Sequence, residues 1–566
     1  MTAETHQRRW VPGVEARAGK FPGPSLIGDL MAIQRQHGWL PREELEALSR
    51  HRRRPLYEIE GLVSFYPHFR TEPPATVTVG LCHDLTCWLG GSDARSAAVR
   101  DAYAGDDDVE VTEISCPGRC DIAPAATVND RPCRTSEVPE LVSVSTKATT
   151  NGGTDLGTVS SLMSYRPDGD WPNDPYRDGE QRYASLRALL AGEVTAEDVI
   201  ATLQRSGLRG MGGAGFPTGK KWELTRAAEG PIKYVICNAD ESEPGTFKDR
   251  QLLAEQPHLV LEGMLMGMVA IGAEQGWVFI RHEYGPEEAV LEAEIANLHQ
   301  LGLLGDDVLG SGKRLSLEIF TSPGGYILGE ETALIECMEG HRGEPRNKPP
   351  FPGNFGLWGR PTLMNSVETF AHVPIIVARG DAWWQEQGRG ESTGLKFFAV
   401  SGHIARPGVY CVPMGTTVGE LIDLAGGVAG GAELGAVQPG GASSNFIGPE
   451  HLDTPLDFGT LADAGSMLGS GAMVVLKQGT NTLAAATNVL RFFRNESCGK
   501  CVPCRAGSTK AHDLLADALS NGGELDESRQ DRLRELEVVM RKSSICGLGQ
   551  VALGPVISVL DQPARD

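Results

Sequence analysis

The chain lacks what a membrane protein, a disulfide scaffold or a nucleic-acid binder would need. Its longest charge-free apolar stretch, GMLMGMVAIGA at 263–273, is too short to span a bilayer. The opening MTAETHQRRWVPGVEARAG carries no apolar core of a signal peptide, so a cytoplasmic protein with no membrane partner is expected. A basic surplus is missing too: 52 Lys and Arg stand against 74 Asp and Glu, a net charge of −22, which argues against nucleic acid and anionic membrane as partners. Cysteine is scarce, 12 in 566 residues, too few for a disulfide framework. In a reducing compartment, clustered cysteines then point to metal or redox chemistry. Glycine is the exception, with 70 residues, many in short loops where backbone can approach a ligand.

A chain this long is expected to hold about three or four domains. Residues 25–69 carry helical periodicity in SLIGDLMAIQRQHGWL, PREELEALSRH and PLYEIEGLVSFYPHF. From about residue 75 the order is strand, helix, strand, strand: ATVTVGLC, SDARSAAVRDAYA, DVEVTEISC, AATVND, a small α/β layer. The polar run SVSTKATTNGGTDLG reads as a linker. Beyond it, helices around SLRALLAG and TAEDVIATLQRSG, with Thr195 as cap and Gly207 as stop, lead to strands KYVICNA and GWVFIRH interleaved with helices. Residues 395–475, with LKFFAVSGH, GVYCVP, TVGELIDLAGG and AMVVLK, suggest a small β-grasp-like module, and the remainder is helical.

Two cysteine sets stand out. Near the C-terminus NESCGKCVPCRAG places Cys498, Cys501 and Cys504 as C-x2-C-x2-C, and Cys546 follows after 41 residues. Three tightly spaced thiolates plus one distant suit a [4Fe-4S] cubane. In the N-terminal α/β layer, Cys82 and Cys87, then Cys116 and Cys120, form C-x4-C and C-x3-C pairs on loops after successive strands. Two pairs on two loops suit a [2Fe-2S] rhomb. A zinc staple is the alternative at both, although zinc pairs are more often C-x2-C. Cys133, Cys237, Cys337 and Cys411 are isolated and read as small buried apolar side chains.

Three further stretches invite a ligand. GLRGMGGAGFPTGKKWE holds a literal G-x-G-x-x-G at Gly210, Gly212 and Gly215, but a helix precedes it where a dinucleotide fingerprint requires a strand. Its glycines still allow backbone to approach a phosphate or a flat ring, with Lys220 and Lys221 supplying charge. In YVICNADESEPGTFKD, Asn238, Asp240, Glu241 and Glu243 follow a strand end, where such groups can hold ligand hydroxyls. In GGYILGEETALIECMEG a glycine turn precedes a helix opening with Glu330 and Glu331, and RNKPPFP adds Arg346, Lys348 and Phe351. Singly, a flexible loop, a solvated acidic turn and ordinary helix-start glutamates are the plainer readings.

Taken together, GLRGxGGAGFPTGxKW, NADESEPGTFKDR, GYILGEETALIE, KPPFP, PTLMNSVET and ESCGKCxPCRAG resemble, over residues 165–560, the flavin- and NADH-binding subunit of respiratory complex I and its relatives. Residues 25–140 resemble its [2Fe-2S] partner subunit, joined here in one chain. The resemblance implies an α/β multidomain protein: a helical bundle (1–72), a thioredoxin-like [2Fe-2S] domain (73–142), a linker (143–164), a Rossmann-like α/β domain for FMN and NADH (165–394), a ubiquitin-like β-grasp domain (395–478) and a C-terminal helical [4Fe-4S] domain (479–566). It implies FMN at Gly210, Gly212, Lys221, Asn238, Asp240, Glu241, Gly329, Glu330 and Asn365. It implies NADH stacked by Phe216 and Phe351 and contacted by Glu243, Glu331 and Lys348, with Glu243 and Glu331 positioning it. It also implies the cluster ligands named above. Met211 stands where the respiratory family usually has arginine, and Ser366 follows Asn365 where a second asparagine is usual, marks of a divergent branch.

NAD exchanges two electrons as hydride, an iron–sulfur cluster one at a time, and a flavin both, so FMN is expected as the converter with no side chain acting as nucleophile. A fused chain without a membrane segment resembles the diaphorase (NADH dehydrogenase) half of a soluble enzyme. The fused order and GGAGFPTGKKW, EPGTFKD, NKPPFP and PLDFGTL resemble the β subunit of NAD-dependent molybdenum or tungsten formate dehydrogenases, whose partner would be an α subunit carrying further Fe–S clusters. The flavin subunit of a soluble NAD-reducing [NiFe] hydrogenase is the alternative, and a zinc-stapled scaffold or regulatory protein the non-enzyme one.

Overall fold

A computed structural model of the chain describes residues 25–150, 164–167 and 169–561. Residues 1–24 of the expected helical bundle and 151–163 of the expected linker lie outside the described residues. The helix Val138–Thr150 carries the fold past residue 143, where the linker was expected to begin. Val138 and Val142 are buried against Val77, Val79 and Leu81, which holds that helix to the domain before it.

Strands β1 (Val77–Cys82), β2 (Val109–Ile114), β3 (Ala125–Val128) and β4 (Arg131–Arg134) make a sheet in the order β2-β1-β3-β4. β1 and β2 are parallel, with helices Leu85–Leu89 and Ser92–Ala102 between them, and β3 and β4 run antiparallel. Side chains alternate along β1: Val77, Val79 and Leu81 face one core with Val99 and Val128, and Cys82 faces the other way. That alternation brings a thiol to the strand's C-terminal end on the side turned to the flavin domain.

Strands β5 (Tyr234–Ala239), β6 (Gln275–Arg281), β7 (Ser316–Ser322) and β8 (Thr362–Ser366) form an all-parallel sheet in the order β7-β6-β5-β8. β5 is apolar on both faces because helices cover both. Tyr234 and Ile236 join a core with Leu30, Ile59, Leu334, Leu490 and Leu515, whereas Val235, Cys237 and Ala239 join one with Trp222, Leu265, Phe370 and Phe397. The edge strands β7 (SLEIFTS) and β8 (TLMNS) are too polar to read as strands alone. The N-terminal helices Leu26–His37, Arg42–Arg52 and Leu56–Val63 do not enclose a core of their own. At 12, 11 and 8 residues they are short, and they are stable by packing into the core under the flavin sheet.

Helix Ala196–Ser206 starts on Thr195, whose hydroxyl and the Asp198 carboxylate cap reciprocally, and stops at Gly207 with φ 74, as expected. Strands β9 (Leu395–Gly402), β10 (Gly408–Pro413), β11 (Leu434–Gln438) and β12 (Ala472–Lys477) form the third sheet, order β10-β9-β12-β11, with helix Val418–Leu424. The chain closes on helices Thr482–Asn495, Val502–Ser520, Glu527–Ser543, Gly547–Val551 and Gly554–Leu560.

Candidate functional site

The four N-terminal cysteines converge. Cys82 ends β1, Cys87 lies in the short helix after it, and Cys116 and Cys120 follow β2; all four are at most 3 % exposed. The Cys116 and Cys120 sulfurs are 3.4 Å apart, and Cys82, Cys116 and an Asp84 oxygen lie within 4.8 Å of one another. Main-chain N–H groups aim at sulfur: Ala125 donates to Cys87 at 3.3 Å, and Gly245 of the flavin domain donates to Cys120 at 3.3 Å. Hydrogen bonds from Cys120 and Cys82 hold the Cys116 thiol well below its usual range, while its contact with Cys116 pushes Cys82 well up. A buried sulfur cage that receives amide donors suits an iron–sulfur centre.

The C-terminal set is more open. Cys501 and Cys546 are the residues from which helices Val502–Ser520 and Gly547–Val551 start. A side chain at Gly549 would meet Cys504 Cβ at 2.9 Å, so the turn after Cys546 lies against Cys504. The hairpin of helices thus returns Cys546, across the 41-residue gap, to the neighbourhood of Cys504. Burial pushes Cys504 up to about 11 and Cys546 to about 12; a bound cation would be needed to hold them as thiolates. Only Cys504 of the four is fully buried.

At the C-terminal ends of β5 and β8 several of the expected flavin residues meet. Asn238 donates to Gly329 O at 2.9 Å and accepts from the Asp240 N–H at 3.1 Å. A Cβ on Gly329 would stand 3.4 Å from Asp240 O, and one on Gly212 would stand 3.2 Å from Ser366 Cβ, so the chain packs close at both positions and glycine suits them. Burial lifts the Asp240 carboxyl to about 7; one oxygen accepts from Ser242 at 2.8 Å and the other is buried with no protein partner. Lys221 reaches Met364 O at 3.1 Å, and burial lowers its pKa. Glu330 caps helix Glu331–Met338 through Thr332 and Ala333, both at 2.9 Å. Lys348 bridges Glu330 and Glu331 at 2.9 Å each. Phe216 and Phe351 are 44 % and 54 % exposed. An orphaned carboxylate oxygen, a half-buried lysine and a glycine-rich loop beside them fit a phosphorylated, hydroxyl-rich flavin chain.

Three expected contacts are differently placed. Glu241 uses both oxygens on the Asp249 and Arg250 N–H groups, at 2.8 and 2.9 Å, and takes the Tyr284 hydroxyl at 3.1 Å. Glu243 turns to the third domain, accepting from Ser443 N at 2.7 Å and its hydroxyl at 2.6 Å, with Ser470 at 3.4 Å. Both carboxylates are held by donors more than a turn away in sequence. Asn365, with its amide turned so that both ends are satisfied, accepts from Trp222 Nε1 at 2.9 Å and donates to Met364 O at 2.8 Å; its side chain orders β8. Thr369 escaped sequence reading: its hydroxyl accepts the Met211 N–H and meets Ser366 Oγ, both at 2.9 Å. The two positions that depart from the respiratory pattern are therefore neighbours through one threonine.

Comparison with known proteins bears on this arrangement. Residues 203–375 match the Nuo51 FMN-binding domain, 21–146 the thioredoxin-like [2Fe-2S] ferredoxin, 397–443 the SLBB domain and 484–564 the NADH-ubiquinone oxidoreductase-F iron-sulfur binding region. An NADH-quinone oxidoreductase subunit of Streptomyces coelicolor is 41 % identical over 393 residues, 69 % of this chain and 86 % of that protein. The chain belongs to the family of FMN-binding NADH-quinone oxidoreductase subunits. The NADP-reducing hydrogenase subunit HndC of Solidesulfovibrio fructosivorans is 42 % identical over 385 residues, 68 % of this chain and 78 % of that one. A solved NAD+-reducing [NiFe]-hydrogenase chain superposes with a TM-score of 0.83 at 32 % identity, over 95 % of this chain and 92 % of its own. As a member of this family, the protein is a diaphorase subunit that binds NAD(H) and FMN, carries [2Fe-2S] and [4Fe-4S] clusters and transfers electrons. The zinc-stapled scaffold is thereby set aside. Among the described residues no helix is long and apolar enough to cross a membrane.

Proposed function

We propose that this chain is the diaphorase subunit of an NAD-dependent formate dehydrogenase, exchanging electrons with a molybdenum or tungsten α subunit where formate is oxidised or carbon dioxide reduced. The observation that carries this reading is the set GGAGFPTGKKW, EPGTFKD, NKPPFP and PLDFGTL. The fused order supports it less than the sequence suggests, since the superposed hydrogenase chain matches 95 % of this one. That whole-chain likeness favours the second reading, the flavin subunit of an NAD-reducing [NiFe] hydrogenase.

When bound, FMN supplies the conversion between two-electron and one-electron carriers. Gly210 and Gly212 would admit it by backbone, Lys221 would supply positive charge to its phosphate, and Asn238, Asp240, Gly329 and Glu330 would hold its chain from the end of β5 and the 326–330 turn. Phe216 and Phe351 stack the nicotinamide nucleotide, and Glu331 with Lys348 orients it at the rim. Glu241, Glu243 and Asn365 act one layer behind, fixing the helix after the flavin turn, the third domain and β8. Cys82, Cys87, Cys116 and Cys120 hold the [2Fe-2S] centre, and Cys498, Cys501, Cys504 and Cys546 the [4Fe-4S] centre. Metal analysis of the large subunit that co-purifies with the chain tests the partner: molybdenum or tungsten is expected, and nickel would overturn the formate reading in favour of hydrogenase.

A further inference from the structure

Arg281, the last residue of β6, lies between two cofactor sites. Its Nη1 donates to Glu241 O at 2.6 Å, and its Nη2 donates to Cys116 O at 2.7 Å. The first carbonyl belongs to the turn that carries Asp240; the second belongs to a cage cysteine. The guanidinium is 2 % exposed, and its charge is met by Glu283 at 2.6 Å. One planar fork thus ties the flavin turn to the [2Fe-2S] loop, a geometry that lysine, a point charge on a flexible stem, does not reproduce.

The bond has a consequence at sulfur. The Cys116–Cys120 loop is seated so that Gly245 N–H, from the flavin domain, donates to Cys120 Sγ at 3.3 Å. Hydrogen bonds to cluster sulfurs and exclusion of solvent are among the levers that set an iron–sulfur potential, along with nearby charge. Arg119 and Arg250 dock the same loop, but through carboxylates, Glu287 and Asp121, each at 3.1 Å. Arg281 alone of the three binds the main chain of a cage cysteine and of the flavin turn together.

We propose that Arg281 is a positioning residue that sets the potential of the [2Fe-2S] centre, by holding the Cys116–Cys120 loop under the Gly245 amide and against the flavin turn. Loss of the amide bond and loss of the positive charge both favour the oxidised cluster, so the two effects add in sign. The inference stands whichever large subunit the chain serves. The experiment is a redox titration of the complete enzyme followed by EPR, reading both cluster signals. In Arg281→Met the reduction equilibrium of the [2Fe-2S] centre shifts about tenfold toward the oxidised form, about 59 mV for a one-electron couple, and the [4Fe-4S] equilibrium shifts less. Arg281→Lys falls between, because charge is kept and the fork is lost. Arg281→Met with Glu283→Gln removes both charges and still shifts the [2Fe-2S] equilibrium in the same direction, through the loop alone. A [2Fe-2S] equilibrium within twofold of the parent in these variants would overturn the proposal. So would failure of Arg281→Lys and the double variant to assemble the cluster, which would make the bond structural only.

Discussion

The two sulfur cages differ in how the fold holds them. The [2Fe-2S] cage is enclosed: its cysteines are buried, flavin-domain backbone donates to Cys120, and the ion pairs Arg119–Glu287 and Arg250–Asp121 seal the loop from behind. The [4Fe-4S] cage lies in helix-start turns with Val502 61 % exposed beside it, and Cys498, Cys501 and Cys546 only part-buried. Under the proposed function, the enclosed centre would serve as a second one-electron site beside the flavin, and the more open one would pass electrons to the partner.

The largest effect is expected at the exit. Cys546→Ser removes the ligand returned by the hairpin, and electron delivery from NADH to the partner's clusters falls more than about 100-fold, with the [4Fe-4S] EPR signal lost. NADH oxidation with ferricyanide taking electrons from the flavin persists, and the [2Fe-2S] signal remains. Retained delivery to the partner would place the exit elsewhere.

On the enclosed side the dominant cost is stability. Arg119→Met strands the Glu287 carboxylate, 5 % exposed, and unfolding free energy drops by about 3–5 kcal/mol, measured by urea denaturation. Arg505, exposed beside the other cage and bonded to Gly499 O, gives the counterpart: Arg505→Ala changes stability by under about 0.5 kcal/mol. Equal costs at the two positions would erase the contrast.

These two cases also show what could be read from the sequence. The two cysteine sets were legible because each holds closely spaced members, while the fold brings back Cys116 and Cys120 across 28 residues and Cys546 across 41. The helices, most strands and the cap of Thr195 followed from periodicity and end signals. Arg281 and Cys116 are separated by 165 positions, and Glu243 and Ser443 by 200; no local pattern encodes a bond made by domain docking. Glu241 and Glu243 looked like ligands because a carboxylate after a strand end is the usual place for one. Their oxygens were claimed by N–H and O–H donors that only the folded chain supplies. β7 and β8 were hidden because edge strands need little apolar alternation.

A smaller effect is expected where Met211 meets Ser366. Thr369→Val leaves the buried Met211 N–H without its acceptor and costs about 1–2 kcal/mol, in a part of the glycine loop that touches flavin rather than sulfur. FMN dissociates more readily, and both cluster signals keep their line shapes. Thr369→Ser, which keeps the hydroxyl, restores retention. Unchanged FMN retention in Thr369→Val would show that the loop is held by its own turn.

A last effect, read by pH, separates the Asp240 turn from both cages. Burial raises Asp240 from an ordinary 3.8 to about 7, so the folded protein binds a proton there that the unfolded chain has released. Its contribution to stability is full below about pH 4 and is lost as pH rises through about 7. Asp240→Asn carries no such proton, and the fall of about 4 kcal/mol across that window flattens in the variant. FMN sharpens the test. A ribityl hydroxyl donating to the unpartnered Asp240 oxygen favours the ionised carboxyl and draws its pKa down. Denaturation midpoints at about pH 5 and about pH 8 should therefore differ more without FMN than with it, and the difference should vanish in Asp240→Asn. A slope that FMN leaves unchanged would remove Asp240 from the flavin's contacts and leave its buried oxygen to water.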